Sequence, residues 1–407
     1  MMFATTTAAL GVLVRAFLDP AKLAASRLGY LFWVALGLGS MIKGPIPLLV
    51  VLVATLALCV LARGVRWLGA LRPWPGVLLL LAIALPWYVA IMFRTDGAFF
   101  ANALGWNALG KVADAHQGHG GPPGFYLALV WITFWPASSF LAALLPWVWA
   151  QRRRREVLVL LCLIVPIWLV FEAVATKLPH YVLPTYPALA ALVALGVTEA
   201  GALVKGWFSR IVVQGLWLMP AVLLLVGGGA FIWFEGWLPI LPTLALLGAV
   251  GLGVLAVAVA HRSAMATVPV AVAGALFTWL GTYPMLAQLD HIWLSPRMAE
   301  AIRAHAPCPD PMIVSAGYSE PSFVFLTRTD ALLAGGADAA DFLAAGGCRV
   351  AFVDAASRRG RVPEEVRFLE RLQALGLQAD RLTMIEGRNM NGGHLRQMVL
   401  WRLGSTP

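Results

Sequence analysis

The residues best placed to do chemistry stand in one short stretch, Ala175–Leu189, which reads ATKLPHYVLPTYPAL. It offers an ammonium (Lys177), an imidazole (His180) and a phenol (Tyr181) between two very apolar segments, 157–175 and 182–198. Pro179, Pro184 and Pro187 withhold backbone donors and keep the connection from forming one continuous helix. A basic, proline-fixed turn at the end of an apolar groove suits an anionic lipid headgroup. The same residues also suit a plainer role, since Lys and Tyr commonly anchor helix ends at a membrane surface.

Other groups with chemical capacity are few. The stretch 94–123, RTDGAFFANALGWNALGKVADAHQGHGGPP, carries Lys111, Asp114, His116 and His119 among aromatic residues. A long loop rich in titratable groups is a candidate reaction site, or a solvated connector. Phe99 to Val112 within it has the pattern of an amphipathic helix lying along a membrane surface. Glu172 is an acid inside an apolar segment, which makes it a functional suspect; pairing with Lys177 is its structural alternative. Lys43 sits at the tip Lys43-Gly44-Pro45 between two apolar runs.

These residues need elements to hold them. The 407 residues are 60% hydrophobic and 12% charged, with mean hydropathy +0.80, which indicates a polytopic membrane protein. Apolar segments fall at 4–18, 28–42, 46–62, 76–93, 124–150, 157–175, 182–198, 211–234, 238–260 and 265–283, about ten spans in all. The segment 124–150 is long for one span, and Pro136 predicts a kink or tilt in it. No signal peptide is read at the N-terminus, where no basic stretch precedes the first apolar run.

The net charge of +10 arises within residues 1–287, because residues 288–407 hold 13 basic and 13 acidic side chains. Such a charge speaks to topology rather than to nucleic acid. One set of loops carries 13 basic residues, among them Arg15, Arg63, Arg152 to Arg155, Arg210 and Arg262; the other carries 4, namely Lys43, Arg94, Lys111 and Lys177. The first set is expected in the cytoplasm. Residues 94–122, 176–181 and everything after 287 are then expected outside it.

After Ala287 short helices alternate with short buried strands, which predicts an α/β domain over 288–407 following a transmembrane domain over 1–287. It has no Gly-rich phosphate loop and no metal-spaced His/Cys cluster, and is read as a lid or an acceptor-contacting domain. Cys308 and Cys348 each shortly precede a strand-like stretch, so a disulfide between them is chemically permitted there; Cys59 and Cys162 lie in apolar segments.

Five stretches in order carry a resemblance. They are the Lys43-Gly44-Pro45 tip, HGGPPGFY (His119 to Tyr126), KLPHYVLPTYPALA (Lys177 to Ala190), GYSEPSFVFL (Gly317 to Leu326) and EGRNMNGGHLRQMVLWR (Glu386 to Arg402). Together with the topology they resemble bacterial membrane glycosyltransferases of the GT-C class, the lipid A aminoarabinose transferases and their protein mannosyltransferase-like relatives. The resemblance implies an enzyme of the bacterial inner membrane that moves a pentosyl or hexosyl group from a polyprenyl-phosphate donor to a lipid A, glycan or protein acceptor outside the cytoplasm. It implies Lys43, Lys177, His180 and Tyr181 around the donor phosphate, and His119 in a metal or phosphate role, with a divalent metal as the possible cofactor.

The sequence also departs from the family. The Glu-His pair expected upstream of His119 has Asn102 to Leu104 near its place. The family's catalytic carboxylate lies in the loop after its first helix, whereas this sequence starts on residues resembling a helix from the family's middle. Asp114 and Glu172 are the remaining candidates for the catalytic acid or base. Two other classes of function stay open: a catalytically inactive polyprenyl-lipid-binding fragment or paralogue, and a lipid transporter or flippase, although no internal repeat is visible.

Overall fold

The computed structural model describes residues 1–101, 121–204, 206–357, 362–390 and 393–404. Two compact units divide these residues: Met1–Ala221 with Gly248–Thr278, and Val222–Leu247 with Trp279–Pro407. The composition changes at 287/288, but compactness divides the chain within the helices Met219–Glu235, Ile240–Ala260 and Ala264–Ala287.

The first unit is helical. Among the described residues of the whole chain, six segments are long and apolar enough to cross a membrane: Pro73–Arg94, Arg155–Ala173, Pro179–Glu199, Trp207–Glu235, Ile240–Ala260 and Ala264–Ala287. Met2–Leu18, Leu28–Lys43 and Ile46–Leu61 are shorter apolar helices. Large apolar side chains stand on the outside, Val60 at 73% exposure and Phe93 at 72%. Water would penalise such a surface, whereas lipid solvates it. Proline is tolerated within these helices at Pro86, Pro146 and Pro166.

Residues 124–150 form two helices, Phe125–Thr133 and Ala137–Gln151, rather than one kinked span. Pro136, lacking an amide hydrogen, stands at the break. The Lys43-Gly44-Pro45 tip is a tight reversal between Leu28–Lys43 and Ile46–Leu61, and Gly44 there takes φ 63°. Elsewhere glycine permits close approach: a Cβ on Gly76 would lie 1.9 Å from Trp33 Nε1, the indole nitrogen that donates to the Leu71 carbonyl at 2.7 Å.

In the second unit five strands form one sheet in the order β2-β1-β3-β5-β4, where β1 is Met312–Ala316, β2 Leu332–Ala334, β3 Arg349–Asp354, β4 Ala379–Arg388 and β5 Leu395–Leu403. The first three are parallel, and β5 joins β3 and β4 antiparallel. The alternation in β3 sorts the two faces. Val350 and Phe352 pack with Leu294, Met298 and Ile302 of helix Leu294–His305; Ala351 and Val353 pack with Leu343, Phe368 and Leu372 of helices Gly336–Ala344 and Glu364–Ala374. Cys308 and Cys348, each just before a parallel strand, are joined in a disulfide with Cα atoms 6.2 Å apart.

Candidate functional site

Helix Arg155–Ala173 ends where Val174 turns extended, and Leu178, held extended by the proline after it, leads into a 3₁₀ helix over Pro179–Thr185. The next helix starts at Tyr186 with Pro187 in its first turn, where a missing amide hydrogen costs nothing. Thr185 pins the turn: its hydroxyl donates to the Val182 carbonyl at 2.7 Å and accepts the Trp168 indole hydrogen at 2.8 Å.

Lys177 lies inside this junction, 8% exposed. Its ammonium donates to the Gly121 carbonyl at 3.0 Å and the Pro122 carbonyl at 3.3 Å, and faces Glu172 Oε2 at 3.5 Å. Two of its three donors are thus hydrogen-bonded, and the contact with Glu172 is an ion pair without a hydrogen bond. Glu172 Oε1 accepts the Tyr126 amide hydrogen at 2.8 Å, and the Tyr126 hydroxyl donates to the Leu178 carbonyl at 3.3 Å. Tyr126 itself is completely buried. Gly121 packs tightly beside the lysine stem, where a Cβ would sit 3.1 Å from Lys177 Cδ and press on it.

The other candidates face outward. Lys43 and His180 are exposed, and the Lys43 charge reaches the His180 imidazole. The Tyr181 ring rests against Phe171 at 5.6 Å and His180 at 5.1 Å, and its hydroxyl makes no hydrogen bond among the described residues. Asp114 and His119 lie outside the described residues. No group of three or more metal-ligating side chains stands among the described residues. The structure therefore links exposed Lys43 to exposed His180 and His180 to the half-buried Tyr181, and holds Lys177 with Glu172 as a separate closed knot.

Sequence reasoning overlooked Tyr126. It ends the HGGPPGFY stretch, and that position alone marks it: the buried ring and amide join the 121–126 segment to Glu172 and Leu178.

The two motifs of the second unit also meet one another. Arg396 pairs with Asp354 at 2.7 Å and donates to the Gly317 carbonyl, while Asn389 donates to Glu320 at 2.9 Å. Gly317, at φ 86°, cannot be replaced without a clash, since its Cβ would lie 2.7 Å from Asp354 Cβ. These contacts gather at the carboxyl ends of β1 and β3, the side of an open parallel sheet where ligands bind.

No protein-family model matches the chain. It is 31% identical over 171 residues to the undecaprenyl phosphate-alpha-4-amino-4-deoxy-L-arabinose arabinosyl transferase of Yersinia pestis (strain Pestoides F), across 42% of this chain and 30% of that protein. The namesake protein of Serratia proteamaculans (strain 568) is 28% identical over 203 residues, 49% of this chain and 36% of its own. The chain thus matches about a third of the length of these curated relatives. The crystal structure of ArnT from Cupriavidus metallidurans bound to undecaprenyl phosphate superposes with a TM-score of 0.70 at 17% identity, covering 100% of this chain and 75% of that one. Its apo form gives 0.69 at 15% identity. The chain is similar to the aminoarabinose transferases over part of their length, and it shares the fold of the Cupriavidus metallidurans protein.

Proposed function

We propose that this protein is a glycosyltransferase of the bacterial inner membrane that takes a sugar from an undecaprenyl-phosphate donor and places it on an acceptor at the outer face, lipid A in the first instance. One observation carries the reading: the likeness to a protein solved with undecaprenyl phosphate runs over the whole chain. The site chemistry agrees with it. A lipid phosphate leaving the anomeric carbon develops negative charge, and Lys43, His180 and the Tyr181 hydroxyl offer donors for it. Lys177 is the reserve cation. In this reading about ten helices cross the membrane, and the domain of residues 288–407 faces the periplasm with the acceptor.

A second reading rests on its own observation. Glu172 is engaged with Lys177 and Tyr126, which leaves Asp114 as the remaining candidate acid in the 94–123 stretch. A chain that binds the lipid without turning it over fits that arrangement. Reconstitution in vesicles with the undecaprenyl-phosphate-linked aminoarabinose and lipid A separates the two. Mass spectrometry finding lipid A heavier by the sugar supports transfer. Tight lipid-phosphate binding with no product supports the second reading, and neither binding nor product overturns both.

A further inference from the structure

We propose that the protein holds an anionic phospholipid in a groove that runs from Pro184 and Pro187, at the Lys177 junction, to Arg15 in the last turn of helix Met2–Leu18. The groove, about 260 Å³, runs between helices Met2–Leu18 and Arg155–Ala173 and the start of Tyr186–Glu199. Leu10, Gly11, Val14, Leu160 and Leu163 give it apolar walls, and Arg15 stands at its lip. These walls match an acyl chain, and Arg15 decides what the chain must carry.

Arg15 is exposed and has no hydrogen-bond or ion-pair partner among the described residues. Beside it, Arg155 donates to the Phe17 carbonyl at 2.8 Å and lies over the Phe17 ring, 5.3 Å from its centre. That uses one of five guanidinium hydrogens and no carboxylate. The neighbouring acids are engaged: Glu199 and Glu156 with Arg154 at 2.5 Å and 3.0 Å, and Asp19 with Lys22 at 2.9 Å. One guanidinium without a carboxylate partner, Arg15, therefore stands at the lip of an apolar groove, at the end that the basic loops assign to the cytoplasm. Basic pockets between helices on that side bind anionic headgroups. A polyprenyl chain anchored by a phosphate at the far surface would present only hydrocarbon to Arg15, and a zwitterionic lipid would bring its own cation. The inference rests on the helices crossing a membrane, not on the transferase reading.

The test uses the purified full chain in detergent, titrated with phosphatidylglycerol and with phosphatidylcholine of the same acyl chains, and read by native mass spectrometry. Phosphatidylglycerol should bind roughly fivefold more tightly, the contribution of one cation at a charged surface. Arg15→Gln should remove that preference and Arg15→Lys should keep it. A Cβ on Gly11, which lines the groove, meets nothing within 4 Å, so Gly11→Leu adds apolar bulk there and should weaken phosphatidylglycerol binding several-fold. Equal binding of the two lipids, a preference that survives Arg15→Gln, or phosphatidylglycerol binding untouched by Gly11→Leu overturns the proposal. So does a loss of undecaprenyl phosphate binding in Gly11→Leu, which would assign the groove to the donor tail. A protein that proves inactive as a transferase yet shows the phosphatidylglycerol preference leaves this inference intact.

Discussion

Lys177 Nζ lies 3.5 Å from Glu172 Oε2 while the other oxygen of the same carboxylate accepts the Tyr126 amide hydrogen. One acid thereby ties the end of one helix, a buried lysine and the first turn of another helix. Removing it strands a lysine whose side chain is 5% exposed. Glu172→Ala should cost about 3 kcal/mol, the low end for a broken buried pair, because Glu172 keeps a fifth of its side chain in contact with solvent. Glu172→Gln keeps an acceptor for Tyr126 and should cost less. Thermal unfolding in detergent measures both. If Glu172 is instead the catalytic carboxylate, Glu172→Gln would leave the melting temperature in place and abolish transfer.

The accessible cations make a separate prediction about binding. A charge-assisted hydrogen bond to phosphate is worth roughly 1.5–3 kcal/mol, so Lys43→Ala should weaken undecaprenyl phosphate about 10- to 150-fold with stability unchanged. Tyr181→Phe, losing a neutral donor, should weaken it by less. Lys177→Ala should lower both affinity and melting temperature, since it also releases the Gly121 and Pro122 carbonyls. A titration in which Lys43→Ala binds as tightly as the parent protein would remove the phosphate from this surface.

How far these relationships could be read from sequence follows from their range. The apolar segments and the break at Pro136 are local: hydropathy and a missing amide hydrogen announce them. The continuous apolar run 350–353 of β3 announces a strand buried on both faces. The pairing of Lys177 with Glu172 was accessible because the two stand close along the chain. By contrast, the Gly121 and Pro122 carbonyls and the Tyr126 ring reach Lys177 and Leu178 across more than fifty residues, and no local pattern encodes that. The three-residue strand Leu332–Ala334 is not legible locally for a related reason, as it is too short for a period and exists through its pairing with β1.

The same long-range logic governs the second unit. Asp354 and Arg396 are 5% and 12% exposed and meet at 2.7 Å, and Asp354 also accepts the amide hydrogens of Ala356 and Gln397. Asp354→Ala should destabilise the sheet by about 3–5 kcal/mol through the uncompensated arginine. Gly317→Ala should do comparable damage by steric conflict with Asp354 and a disfavoured positive φ. Limited proteolysis of residues 288–407 in the intact protein would reveal either change. Resistance equal to the parent's in both variants would mean that the two motifs do not secure the fold.

The disulfide gives the last prediction. Cys308 and Cys348 close a loop with a sequence separation of 40, for which the chain-entropy estimate is about 4 kcal/mol of stabilisation. Cys59 and Cys162 are free thiols in the helices. Alkylation of the denatured, unreduced protein should therefore add two labels, and prior reduction should raise this to four. Reduction should also lower the unfolding temperature of the sheet domain, with loss of its own helices, while leaving the helices of the first unit folded at that temperature, because the bridge closes no loop in that unit. Persistent disulfides form in oxidising compartments, so the bridge should be absent from protein made without membrane insertion, in the reducing cytoplasm. Four labels before reduction, in protein drawn from the membrane, would show the thiols to be free and would also remove this support for an outward-facing sheet domain.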